Sequence, residues 1–238
     1  TDPAHGASAP DLDAGEIERV FRNLPPSIHW LSITGGEPFL RQDLPEITLR
    51  AIDLLPRLHM ISMPTNGLLP DRALRWAEAI RARRRHPLVF LSFSLDGAPD
   101  VHDRVRGVPG GFRKTWESYE RVRRAVRDDP SFVVNIETTV SRLNLEGIDA
   151  FLRPLQEEGH TVTVTFAHNA HLYRNEGKGS VSPFDDRPRM AHIVRALRAR
   201  IPRTSPKGWV DRRYLDGVLR FAANPRRQPA PCTALEAS

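Results

Sequence analysis

Three short polar segments in this chain combine residue types that do chemistry with residue types that bare a backbone. The first is Thr34, Gly35, Gly36, Glu37, Pro38. Two adjacent glycines let amides and carbonyls approach a ligand with no side chain between them. Glu37 adds a carboxylate, and Pro38 stiffens the exit. The second is Thr65, Asn66, Gly67, and the third is Ser94, Leu95, Asp96, Gly97, followed by His102, Asp103 and Arg106. Two weaker clusters follow, Glu137, Thr138, Thr139 with Asn144 beyond, and His168, Asn169. Taken singly, Asn-Gly and Asp-Gly are ordinary turn dipeptides. Their significance depends on what positions them.

Each cluster ends an apolar run. Runs at 28–34, 58–63, 88–94, 132–140 and 161–167 read as strands rich in Val, Ile, Leu and Phe. Helical patterns at 11–24, 44–55, 71–84, 111–127 and 145–158 alternate with them, the first capped by Asp11 or Asp13. Residues 97–110 read as a loop. Alternation at a spacing of roughly 30 residues predicts right-handed βαβ units and a parallel sheet. In such folds ligands bind at the carboxyl ends of the strands, where all five polar clusters fall. Trp30 and Phe39 are expected in the core. The pattern weakens after residue 168. Residues 169–188 read as loop, 190–200 and 214–222 as helices, and 224–231 as a linker leading to Cys232.

Composition narrows the function. The chain has 238 residues, 39% hydrophobic and 27% charged, which excludes a collagen-like or wholly disordered chain. No apolar run reaches the roughly 18 residues of a membrane helix, so no membrane role is expected. One cysteine excludes an internal disulfide framework, and also an iron–sulfur or zinc-thiolate site made from this chain's cysteines alone. No signal-peptide pattern opens the sequence, and a cytoplasmic setting is expected. The net charge of +6 is carried almost wholly by arginine, with Lys114, Lys178 and Lys207 the only lysines. The arginines are interleaved with acids along helices. They read either as solvated faces or as an anion-binding surface, and no nucleic-acid motif accompanies them.

The segment Ile33, Thr34, Gly35, Gly36, Glu37, Pro38, Phe39, Leu40, Arg41 with Asp43, Leu44 resembles the GGEP segment of radical S-adenosylmethionine (SAM) enzymes. Thr65, Asn66, Gly67 resembles the family's TNG. Ser94, Leu95, Asp96, Gly97 with His102, Asp103, Arg106 and Gly107 is similar to its SLDG, HD and RG segment, in the same order and spacing. The resemblance covers roughly residues 10–168. It implies an α/β fold, a partial (β/α)6 TIM-like barrel lacking its first strand and cluster loop. Residues 1–168 would form that barrel, 169–223 a helical and loop extension, and 224–238 a linker into an auxiliary domain.

The resemblance further implies a [4Fe–4S] cluster that holds SAM and cleaves it reductively. The resulting 5′-deoxyadenosyl radical would abstract a substrate hydrogen, with an electron donor such as flavodoxin or ferredoxin. Gly35, Gly36, Glu37 and Pro38 would face the methionyl end. Thr65, Asn66, Ser94, Asp96, Thr138 and His168 would complete the cofactor site. His102, Asp103 and Arg106 stand on the substrate side. His102 and Asp103 read either as an acid/base pair or as a loop brace, and Arg106 as an anion contact or a partner of Asp103. His168 and His171 would lie at the mouth. The family's CxxxCxxC is missing from the sequence, which alone is expected not to hold that cluster. Cys232 resembles the first cysteine of SPASM or twitch extensions, which bind auxiliary iron–sulfur clusters; the alternative is an unligated thiol. The substrate would be a peptide or a small biosynthetic molecule. The alternative function is a cluster-free barrel that serves as a binding partner.

Overall fold

The computed structural model describes residues 11–167, 181–204 and 206–224. The fold class is the expected one: α/β, with five strands whose pairings are parallel. The chain divides into two compact units. The first comprises residues up to Phe93 together with Lys114–Val134; the second comprises Ser94–Arg113 and the chain from Asn135.

The first unit opens with α1 (Ala14–Asn23). Asp13 caps it in a reciprocal box, accepting from the Glu16 amide while its own amide donates to the Glu16 carboxylate. Strand β1 (Trp30–Ser32) pairs with β2 (Met60–Thr65), which pairs with β3 (Leu88–Ser94). Helices α2 (Leu44–Leu54), α3 (Pro70–Arg81) and α5 (Gly111–Ala125) belong mainly to this unit. Ile61, Met63, Thr65, Val89, Leu91 and Phe93 are buried along the strands. Trp76 on α3 is fully buried, and its indole N–H donates to Thr48 Oγ1 on α2.

In the second unit β4 (Phe132–Val140) pairs with β5 (Thr161–Phe166) over residues 135–140. Helices α4 (Pro99–Arg106), α6 (Ile148–Glu157), α7 (Arg187–Arg200) and α8 (Pro206–Ala223) accompany them. Arg200 pairs with Asp149 and so ties α7 to α6, and Arg198 pairs with Asp216 and so ties α7 to α8. Among the described residues no helix is long and apolar enough to cross a membrane.

Two expectations are corrected. Trp30 is 59% exposed rather than core, whereas Phe39 is buried. Burial on both faces of an apolar run holds for an interior strand. Among the described residues β1 pairs only with β2, and the Trp30 indole instead donates to Ser62 Oγ at its border. Within the expected loop 97–110 lies the eight-residue helix α4. Its only buried residue is His102, so it lacks the apolar stripe that reveals a helix. Its punctuation was nevertheless legible: Pro99 in its first turn and Gly107 just past its end.

Candidate functional site

The turn that follows β1 is open. Thr34, Gly35 and Gly36 are exposed, and among the described residues no hydrogen bond uses their amides or carbonyls. Gly35 has φ +147°, a conformation that side chains disfavour, and a Cβ placed on Gly35 or Gly36 would meet nothing within 4 Å. Beside this bare stretch Glu37 is fixed. Its Oε1 accepts from Thr65 Oγ1 at 2.8 Å and from the Phe39 amide at 3.1 Å, and its Oε2 accepts from the Asn66 amide at 2.8 Å. Pro38 starts a 3-10 turn, Pro38–Leu40, whose Phe39 lies edge-on to Trp76. Arg72 donates to the carbonyls of Phe39 and Leu40, both at 2.9 Å.

The Thr65, Asn66, Gly67 segment is held just as firmly. Thr115 and Ser118 on α5 donate to the carbonyls of Asn66 and Gly67, each at 2.6 Å. Gly67 has φ +71°, and a Cβ there would stand 2.8 Å from Thr115 Cγ2. Only glycine fits at that position. The Asn66 carboxamide oxygen accepts from the Leu68 amide, which closes the turn. A cleft of about 550 Å³ runs past Asp11, Asp13, Gly35, Gly36, Glu37 and Arg41. Arg41 clasps Asp43 at 2.7 and 2.9 Å, and that hydrogen bonding holds the Asp43 carboxyl below its usual range.

The second unit holds a different construction. Asp96 is 2% exposed. One carboxylate oxygen accepts from the Thr139 amide at 2.9 Å, and the other accepts from Arg106 Nε at 2.6 Å. The Asp96 amide donates to His102 Nδ1 at 3.2 Å, and its carbonyl accepts from the Asn144 carboxamide at 2.7 Å. Asn144 also donates to the Thr139 carbonyl and accepts from the Ser141 amide. Thr138 is fully buried and donates to the Leu95 carbonyl at 2.7 Å. Burial pushes the His102 imidazole down from its ordinary value, against the attraction of Asp96. Since Nδ1 accepts, the proton of this neutral ring sits on Nε2.

The sequence-derived candidates therefore divide. Gly35 and Gly36 offer bare backbone to the cleft. Glu37, Thr65, Asp96 and Thr138 are tied into the protein's own hydrogen bonds. Ser94 is half-buried, and its hydroxyl has no partner among the described residues. His102 and Asp103 share no hydrogen bond: His102 serves Asp96, while Asp103 accepts from the amides of Gly110 and Phe112 at 2.5 and 2.8 Å. Those backbone donors, the Phe112 amide first, hold the Asp103 carboxyl below its usual range. Arg106 pairs with Asp96 rather than with Asp103, and its terminal nitrogens have no partner among the described residues. His168, His171 and Cys232 lie outside the described residues. Sequence reasoning missed the organising role of Asn144 and the contributions of Arg72, Thr115 and Ser118. Only the Ser141-to-Asn144 spacing hinted at any of these, as a side-chain turn.

Free amides and carbonyls beside an absent Cβ suit an α-amino carboxylate, which needs both donors and acceptors. An S-adenosylmethionine methionyl end fits that description. A [4Fe–4S] cluster does not fit this residue set. The sequence has one cysteine, and among the described residues no group of His, Cys, Asp or Glu is arranged to hold a metal.

Residues 5–169 match the family model described as the Radical SAM superfamily. An AdoMet-dependent heme synthase of Methanosarcina barkeri is 34% identical over 191 residues, covering 76% of this chain and 50% of that protein. A GTP 3′,8-cyclase of a Cyanothece species is 30% identical over 173 residues, 70% of this chain and 50% of that protein. The chain thus spans about half the length of these curated relatives. A solved structure of native anSMEcpe with bound AdoMet and a peptide superposes with a TM-score of 0.59 at 18% identity, covering 91% of this chain and 58% of that one. At that identity the likeness speaks for the fold.

Proposed function

This chain belongs to the radical SAM superfamily, and we propose that it is the SAM-gripping part of an enzyme that modifies a biosynthetic substrate by hydrogen abstraction. The family uses SAM and a [4Fe–4S] cluster. When bound and reduced in such an enzyme, SAM supplies a 5′-deoxyadenosyl radical. The observation that carries this reading is the exposed Gly35, Gly36 pair with its unused amides and carbonyls.

The chain's own residues play distinct parts in it. Gly35 and Gly36 receive the methionyl ammonium and carboxylate on bare backbone. Glu37, locked to Thr65 and Asn66, fixes the height of that turn and lends it negative charge. Ser94 offers its hydroxyl at the carboxyl end of β3. Asp96, Thr138 and Asn144 hold the loops that follow β3 and β4. The cluster's thiolate set is not in this sequence, which has one cysteine. The electron would come from a donor such as flavodoxin or ferredoxin in a reducing, cytoplasmic setting. Cys232 is a candidate ligand of an auxiliary cluster; Cys232→Ala would then lower the iron content of the full-length protein.

The substrate reading keeps two classes, a small molecule or a peptide. The names of two relatives, a heme synthase and a GTP cyclase, support the first, and the peptide bound to anSMEcpe supports the second. The test is product analysis. Full-length protein, reconstituted anaerobically and reduced with dithionite, is expected to convert SAM to methionine and 5′-deoxyadenosine in equal amounts. SAM that remains intact in protein carrying a full cluster complement would overturn the proposal.

A further inference from the structure

A second cavity, of about 780 Å³, lies between the end of β5 and α8, lined by none of the residues assigned to SAM. Its size falls in the upper part of the range of roughly 300–1,000 Å³ typical of small-molecule sites. Five aromatic side chains wall it: Phe166 at the end of β5, Phe184 on the 3-10 turn Pro183–Asp185, and Trp209, Tyr214 and Phe221 on α8. Four of the rings form a continuous series. Phe166 stands 6.2 Å from Phe184 and 6.3 Å from Tyr214, and Phe184 meets Phe221 edge-on at 5.0 Å. Burying such surface is the ordinary fate of aromatic residues, yet Trp209 is 63% exposed and Tyr214 46%.

Two further features show what the groove is shaped for. Gly217 lines it from the middle of α8, and a Cβ there would meet nothing within 4 Å. A glycine inside a helix weakens it relative to alanine. Packing does not demand this one, so the bare floor leaves room for a flat object to lie against the helix. Arg213 and Arg220 also line the groove; neither forms an ion pair with a carboxylate of the described residues, and Arg220 acts on Asp216 only at longer range. Arg213 stacks on Trp209 with its guanidinium carbon 5.8 Å from the ring centroid, and Asp216 beside them is taken by Arg198. Seven residues apart on one helix, the two arginines are rooted about 10 Å apart along its axis.

We propose that this groove binds a flat, conjugated ring system carrying at least two peripheral carboxylates. The rings and Gly217 would take its face, and Arg213 and Arg220 its acids. A peptide fits less well. The side chains that line the groove are mostly aromatic or aliphatic, so the amides of a buried peptide would lose water and find few side-chain partners. The groove starts on β5, where Phe166 is in register with Val140 of β4. The proposal rests on the reading of the chain as part of a radical SAM enzyme, and it names the substrate class as a planar polycarboxylic acid.

The test is a fluorescence titration of full-length protein with protoporphyrin IX, a planar diacid, and with its dimethyl ester. The diacid is expected to bind at least tenfold more tightly than the ester. Arg213→Gln combined with Arg220→Gln should erase that preference. Gly217→Leu should block both ligands, and Gly217→Ala should weaken both, with unchanged circular dichroism. Equal binding of acid and ester, binding unaffected by Gly217→Leu, or stronger competition from an Asp/Phe octapeptide would each overturn the proposal. SAM titrated into the same variants should bind as in the wild type. A wild type that binds SAM but does not discriminate the diacid from its ester would sink the groove alone, whereas a wild type that fails to bind SAM would sink the reading beneath it.

Discussion

After β1, residues 34–36 leave their amides and carbonyls without partners among the described residues, whereas after β3 Asp96 engages both carboxylate oxygens, its amide and its carbonyl. Both segments follow parallel strands, and both combine glycine, an acid and a hydroxyl residue. Their physical roles are opposite. The first exposes backbone and holds it still from behind through Glu37. The second turns its polar groups inward and ties β4, α4 and the loop after β4 to one buried residue. Residues that look equally catalytic in a sequence thus separate, in three dimensions, into those that offer contacts and those that shape the surface offering them.

Breaking the second construction should cost the most. Asp96→Ala strands the Thr139 amide and removes the partner of Arg106, so a loss of about 3 kcal/mol is expected in urea-induced unfolding. A loss below about 1 kcal/mol would mean that the network is dispensable. Next comes Gly67→Ala, which combines a left-handed φ of +71° with a contact of 2.8 Å to Thr115. Overpacking of that kind costs about 2 kcal/mol, and the melting temperature should fall accordingly.

A smaller, pH-dependent effect comes from His102. Burial keeps the folded ring neutral, with its pKa below the unfolded value near 6.5. The unfolded chain therefore binds the extra proton first, so stability is full above pH 6.5 and declines as the pH falls below it. Unfolding measured at pH 7.5 and pH 5.5 should show this decline in the wild type and a shallower one in His102→Asn. Equal slopes would place the titration elsewhere.

The backbone of the fold was legible because buried parallel strands announce themselves. Residues 88–94 and 132–140 are strands with the expected limits. Helix α4 was not, since its sequence is polar and its one buried side chain is a histidine. Within the site, the glycine pair was legible from chemistry: adjacent glycines at a strand end expose backbone. The inward turn of Asp96 was not legible, because its partners Thr139 and Asn144 stand 43 and 48 positions away along the chain. Asp96 and Thr138 carry the residue types of a cofactor site and are fully engaged with the protein. The exposed Trp30 shows the limit of apolar runs: they report a strand and not whether both its faces are covered.

The claim that the open turn binds while the buried network braces is tested most directly by calorimetric titration of SAM into Gly36→Val in the reconstituted full-length protein. No atom lies within 4 Å of a Cβ at that position, so stability should stay within about 0.5 kcal/mol of the wild type. The added side chain would stand where the methionyl end must approach, and SAM affinity should fall at least tenfold. Unchanged SAM affinity in a folded Gly36→Val protein would contradict the account.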